Sequence, residues 1–432
     1  MNEIITLLSC IIPIIETKKQ KQLQIIIQAL LSMRGRITML GLSRWSEKGG
    51  SYKTITRFFN SIIDWGSINW LFIKKHLLDK NGIYLLAGDE VVVSKSGKKS
   101  YGLDKFYSSI QNRPIKGLAF LNLSLIDVKK RVAYPLITKQ IIKENADGCI
   151  KYKNSNKTEL DNSSKKEDTD RFSSYLKFVK NTIESVTEYI NKDIKVNYFL
   201  FDGAMGYDEA VQMVRSCNYH IISKLRKDSA LEFPNEEEYS GRGRPKKYGA
   251  KINYNNLSDR YLKETTIDGD IVTKIYQMEM LNRKFSNSLN VVIIKKVNTK
   301  TKQSAHVVLF SSDLNLDYDK IILYYSLRFQ IEFVFRDAKQ YWGMEDFMNI
   351  NETPIYNWAN LSTFMVNFAH GLRQNSSMKT MSILDLKAHY HGLKYVKEVF
   401  KLLPDFADKL LINRITLQIT NLGAINGYRR VA

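Results

Sequence analysis

From residue 83 the chain carries three apolar, β-branched runs, "IYLLAGDEVVVS", "GLAFLNLSLIDV" and "RVAYPLITKQ", read as consecutive strands separated by short turns. Runs of that composition read as strands, and connections that short join antiparallel neighbours. Farther along, "VNYFLFDG", "YDEAVQMVRSC" and "YHIISKLR" read strand, helix, strand, the alternation of a βαβ unit with parallel strands. A chain holding both patterns predicts an α/β fold built on a mixed sheet flanked by helices. Its 432 residues, 44% of them hydrophobic, suffice for a large core divided among two to four domains.

Around that core the pattern changes. Residues 1–78 read as helices, among them "QKQLQIIIQALLSMRG" and, after Gly49 and Gly50, "SYKTITRFFNSIIDW" with Ser51 as its N-cap. Two short helices joined by a glycine turn, with Lys53 and Arg57 on the second, suit a helix-turn-helix DNA reader, and equally a helical packing domain with a solvated basic face. The core then runs over 79–227 and resumes over 305–372. Between the two parts, 228–304 breaks the βαβ rhythm with charged turns and β-like pieces such as "TKIYQMEM" and "NVVIIKKV", a mostly β insertion. The polar stretch "NSNKTELDNSSKKEDTD" reads as an exposed loop, and 373–432 as a helical C-terminal region.

Charge narrows the partner. Lysine and arginine outnumber aspartate and glutamate 65 to 44, a formal net charge of +21, which suits a polyanion such as nucleic acid. Cys10, Cys149 and Cys217 are widely separated and form no zinc pattern, so free thiols in a reducing, cytoplasmic setting are expected. The apolar N-terminal run is short, carries Glu3 and contains Pro13, which argues against a signal peptide or a membrane span. His389 and His391 fit an ordinary helix-surface pair better than a metal site.

Candidate chemistry centres on "YYSLRFQIEFVFRDAKQYWG". On a helix turning roughly 100° per residue, Tyr325, Arg328, Glu332 and Lys339 fall within about a 60° arc. Arg328 and Glu332 are also an ordinary i,i+4 salt-bridge pair. Two further carboxylates stand where their type is unexpected. Asp89 interrupts an apolar strand, where a carboxylate is costly unless its charge is satisfied. Glu90 follows at once on the opposite strand face, so at most one of the two shares a site with Glu332. Asp202 ends a strand before Gly203, a place for functional groups in α/β sheets and also for a helix or turn cap. Three carboxylates from two strands and a helix suit two divalent cations about 4 Å apart, and an oxygen-only set favours magnesium or manganese. Arg328, Lys339 and Tyr325 would then hold DNA phosphates. In the insertion, "GRGRPKKYG" resembles a minor-groove-binding turn, which makes Arg242, Arg244, Lys246 and Lys247 candidate DNA contacts.

These residues resemble the DDE insertion-sequence transposases that carry the Y-x2-R-x3-E-x6-K signature, matched at every position by Tyr325, Arg328, Glu332 and Lys339. "LAGDEVVVSKSGKKSYGLDKFYSS" and "FLFDGAMGYDEAVQMV" are similar to the family's first and second aspartate regions, so the likeness covers roughly 80–372. The resemblance implies an RNase H-like core with a β-rich insertion. It implies Asp89, Asp202 and Glu332 as catalytic, metal-binding carboxylates for two Mg2+ (or Mn2+) ions, and Tyr325, Arg328 and Lys339 as contacts to the DNA end. It further implies a nucleoid-associated homodimer that binds double-stranded DNA at terminal inverted repeats, cleaves the element ends and transfers the 3′-OH strands into target DNA. A nuclease or resolvase of the same fold, or a silent DNA-binding regulator, is the alternative expectation.

Overall fold

The computed structural model describes residues 2–46, 49–108, 111–143, 172–236, 241, 246–374, 378–401 and 409–420. The polar stretch 154–170, Cys149, Arg242 and Arg244 lie outside the described residues. The chain opens with five helices: α1 (Asn2–Leu8), α2 (Thr17–Ser32), α3 (Met39–Trp45), α4 (Tyr52–Phe59) and α5 (Trp65–His76). Three of their starts are set by side-chain caps: Thr38 accepts from the Gly41 N–H, Ser51 from Thr54 and Asp64 from Ser67. The α4 helix buries Ile55, Phe58 and Phe59 and leaves Lys53 and Arg57 exposed.

Next come β1 (Tyr84–Ser94), β2 (Asp104–Ser108), β3 (Arg113–Asp127) and β4 (Val132–Ile141), then α6 (Ser174–Ile190), β5 (Tyr198–Leu200), α7 (Asp208–Ser216) and β6 (His220–Leu225). The remaining strands are β7 (Glu232–Pro234), β8 (Tyr248–Lys251), β9 (Leu262–Asp268), β10 (Ile271–Met280), β11 (Leu289–Asn298) and β12 (Ser304–Ser311). Five helices close the chain: α8 (Tyr318–Leu327), α9 (Gln330–Trp342), α10 (Glu352–Gln374), α11 (Ile383–Phe400) and α12 (Lys409–Thr420).

One mixed sheet organises these elements, in the order β2-β3-β1-β5-β6-β12-β11-β10-β9 with β4 alongside β3. A short turn joins β3 to its antiparallel neighbour β4, but the link between β1 and β3, expected to be a short turn, is residues 95–112 and carries β2, which pairs with β3; β5 lies parallel to both β1 and β6, with α7 as the crossover between β5 and β6. The fold is thus the mixed α/β sheet with helical terminal regions that the strand pattern predicts. The β-rich stretch 228–304 does not form a sheet of its own: β9, β10 and β11 extend the main one through β12, and only β7 and β8 pair separately. From Gly117 to Asp127 every residue of β3 is buried, as expected of a strand covered on both faces.

The outer edge of β4 is closed by α10. The Asn360 side chain accepts from the Thr138 N–H at 2.9 Å and donates to the Thr138 carbonyl at 2.8 Å, while Asn367 donates to the Pro135 carbonyl at 2.8 Å. Buried asparagines on α10 therefore do for this edge what another strand would do. The same helix fastens the N-terminal helices, since Trp65 Nε1 donates to Asn357 Oδ1 at 2.9 Å and Asn357 donates to the carbonyls of Phe59 and Ser61 at 2.8 Å. Cys10 and Cys217 are free thiols that burial pushes up to about 11 and about 12.

Candidate active site

The β1 strand is buried from Tyr84 to Gly88 and then opens at Asp89 and Glu90. Its parallel neighbour β5 pairs with it only at Leu86 and Ala87, so β5 ends at Leu200 just before the level of Asp89. Asp202 follows two residues later, at the carboxyl end of the parallel pair, the position where open α/β sheets place functional groups. Asp202 also caps the short 3-10 turn Gly203–Met205, accepting from the Ala204 N–H at 2.9 Å, so its turn-capping role and its place beside Asp89 coexist. Close packing holds the strands in this relation: a Cβ at Gly88 would lie 2.9 Å from the Phe201 ring and 3.0 Å from Phe199.

The third carboxylate comes from a helix packed against β1 and β4. Where the sequence predicts one long helix over 324–343, the chain forms two, α8 and α9, joined by a tightened turn. There Arg328 and Phe329 donate to carbonyls three residues back, Tyr325 and Ser326, and Glu332 donates to Phe329 at 3.1 Å. The Arg328 guanidinium projects from this turn, donating to Asp89 Oδ2 at 2.7 Å and to Glu332 Oε1 at 3.3 Å. Arg328 and Asp89 are only 16% and 17% exposed, so this bond joins β1 to the α8–α9 turn largely away from water.

Burial pushes the Asp89 carboxyl up to about 6, against the pull of Arg328, and the neighbouring charges of Asp202 and Glu332 push the same way. Burial alone would lower Arg328, yet Asp89, Tyr325, Glu332 and Asp202 together raise it, so its charge is secure. Burial raises the Tyr325 hydroxyl, which lies among Arg328, Asp202 and Asp89. Asp89, Asp202, Glu332, Arg328 and Tyr325 are therefore electrostatic neighbours. Lys339 is drawn elsewhere along β1: its Nζ donates to the Val92 carbonyl at 3.0 Å and pairs with Glu345 at 2.9 Å.

Two residues join the cluster without having been assigned to it from sequence. Burial raises Glu90, which accepts a hydrogen bond from the Tyr175 hydroxyl on α6 and lies near Asp89 and Asp202. Strand alternation separates Glu90 from Glu332, but it says nothing of Asp202 or of a helix that begins eighty residues later in the chain. No local signal marks Tyr175.

The donor set suits a hard divalent cation, because it consists of oxygens alone and one guanidinium faces three carboxylates, an excess of negative charge in a partly buried place. As they stand, with Arg328 between Asp89 and Glu332, no three His, Cys, Asp or Glu side chains among the described residues are spaced to hold an ion. Of the insertion's candidates, Lys246 and Lys247 are exposed beside the β7–β8 pair, where Lys247 donates to the Ser286 carbonyl at 3.3 Å. Among the described residues, no helix is long and apolar enough to cross a membrane.

Two family models match the chain. The DDE superfamily endonuclease model covers residues 8–269, which include Asp89 and Asp202. The transposase DDE domain model covers residues 177–368, which include Asp202, Tyr325, Arg328, Glu332 and Lys339. No curated protein matches.

Proposed function

Because the chain belongs to the DDE superfamily endonuclease family, we propose that it is a DNA transposase of the YREK-signature subtype. It binds the terminal inverted repeats of its element as a homodimer, cleaves the ends and joins the freed 3′-OH strands to target DNA. The observation that carries this reading is the Arg328 bridge, which draws Asp89 on β1 and Glu332 on α9 to one cation at the end of the strand pair that leads to Asp202. In this reading Asp89, Asp202 and Glu332 hold two divalent ions, Mg2+ or Mn2+, which when bound supply electrostatic stabilisation for phosphodiester cleavage and strand transfer.

The chain's own residues bind and orient the DNA. Arg328 exchanges its carboxylates for a phosphate, which its planar fork fits equally well. Tyr325 donates to a neighbouring phosphate oxygen, and Lys339 supplies a third contact as its Glu345 pairing opens. Arg242, Arg244, Lys246 and Lys247 grip the backbone farther from the cut, and the basic helices of 1–78 add repeat binding. Replacing Asp89, Asp202 or Glu332 by alanine in turn tests the assignment: each variant should retain end binding in a gel-shift assay and lose Mg2+-dependent cleavage. Cleavage that survives one substitution removes that residue from the site. Joining of pre-cleaved ends to a target plasmid separates a transposase from a nuclease or resolvase of the same family.

A further inference from the structure

On the side of α9 facing α10 and α11 runs a groove that the acid cluster does not use. Two adjoining cavities of about 320 and 440 Å³ form it, sharing Tyr341 and Leu384. Phe333, Asp337 and Tyr341 repeat at i, i+4 and i+8, so the groove follows α9 for about 12 Å. It starts beside Glu332, since Gln330 and Phe333 line its first cavity.

The lining combines cations with flat apolar surface. Arg336 and Arg373 face the first cavity, Arg34 and Lys387 the second. Arg373 Nε is buried with no hydrogen-bond partner, and its Nη2 donates to His370 Nδ1 at 2.9 Å. Burial, then Arg373 and Lys130, hold His370 down to about 3, so this ring is neutral and offers Arg373 no charge. Of the two acids in the lining, Asp337 pairs with Arg336 at 2.8 Å and its charge also reaches Arg373, while Asp385 caps α11 through Ser382 at 2.8 Å, so four cations face two acids. Phe333 is 38% and Leu384 49% exposed, and the Arg336 guanidinium stacks 4.8 Å from the Phe333 ring centre.

An occupant that answers both features is anionic along its length and carries planar apolar units, which describes a single nucleic-acid strand. Each cavity has the volume of a small-molecule site, about 300–1,000 Å³, too small for a duplex. We propose that this groove holds an unpaired stretch of the DNA strand that passes the acid cluster, its phosphates on Arg34, Arg336 and Arg373 and its bases against Phe333 and Tyr341. The proposal rests on the reading of DNA as the substrate, but its test is independent of cleavage.

Fluorescence anisotropy of the full chain with labelled oligothymidylate, in EDTA, supplies that test. Arg34→Ala/Arg336→Ala should weaken oligothymidylate binding at least tenfold and lower the log–log salt slope by about 1.4, at roughly 0.7 per phosphate contact. Phe333→Ala should weaken it by roughly tenfold through lost stacking, and duplex binding should change less than twofold. Arg34→Glu, at an exposed position, gives the same readout should loss of the Arg336–Asp337 pair unfold the double variant. A 4-thiothymidine strand should crosslink to Phe333 or Tyr341. Unchanged oligothymidylate affinity, an equal loss on duplex, crosslinks outside the groove, or displacement of the strand by oligoglutamate with the same variant dependence would each overturn the proposal. Failure of cleavage would bear only on the acid cluster.

Discussion

Arg328 is the residue on which the site turns, because it supplies the positive charge shared by Asp89 and Glu332. Removing it should leave Asp89 partly buried with its negative neighbours unanswered, so Arg328→Ala should cost about 2 kcal/mol in metal-free protein, the range for losing a charged hydrogen bond. Mn2+ should then raise the melting temperature of the variant more than that of the wild type in differential scanning fluorimetry, because the ion no longer competes with a guanidinium. Equal shifts would mean that Arg328 does not stand in the ion's place. A second prediction concerns Lys387, which donates to the Leu30 carbonyl at 2.8 Å and the Tyr341 carbonyl at 3.2 Å and is held down to about 8, chiefly by burial. The folded chain therefore binds fewer protons than the unfolded chain between pH 8 and about 10.5, so Lys387 makes stability rise with pH over that window. Urea unfolding should show the stability difference between Lys387→Met and wild type moving in favour of wild type from pH 8 to pH 10. A pH-independent difference would contradict this.

Among the elements, α10 matters most to the sheet that carries Asp89, because its asparagines finish the edge of β4, which pairs with β3, which in turn pairs with β1. Asn360→Leu should lose about 2–4 kcal/mol, since both the N–H and the carbonyl of Thr138 are left without partners in the core. Chemical denaturation reads that loss directly, and a change below about 0.5 kcal/mol, the size of an ordinary surface substitution, would deny α10 this role. Such contacts are invisible in sequence: "NWANLSTFMVNFAHG" reads as a helix, but nothing local says that Asn360 faces a strand two hundred residues earlier. What was legible had a local cause. Asp89 breaks an apolar strand, Asp202 ends one, and Glu332 follows Arg328 by one helical turn. The break between α8 and α9 was not legible, since no proline or glycine lies between Leu327 and Gln330 to mark it. Nor was the engagement of Lys339 with Val92 and Glu345, which depends on how α9 lies across β1.

At the scale of the whole molecule, a continuous sheet carries the acid cluster midway along β1, just past the end of β5, and continues through β6 and β12 into the strands of the β-rich stretch. Cys10, Cys217, the buried asparagines and the N-terminal helices pack into this frame, whereas the net charge of +21 suits a polyanion. Gly343, at a φ of 76°, ends α9 with the position of its Cβ only 2.7 Å from Ile37, and Ile37 donates its N–H to Asp346 at 2.9 Å. The helix bearing Glu332 is in this way braced against the N-terminal region. The proposed chemistry requires that Asp89, Asp202 and Glu332 share bound cations once Arg328 gives way. Anomalous diffraction from Mn2+-soaked crystals of the full chain on an element-end DNA tests it most directly. Manganese peaks are expected at about 2.0–2.2 Å from carboxylate oxygens of all three residues, close to magnesium-type distances, with Arg328 turned to a phosphate. Manganese bound without Asp202, or Arg328 still bridging Asp89 and Glu332 in the loaded complex, would contradict it.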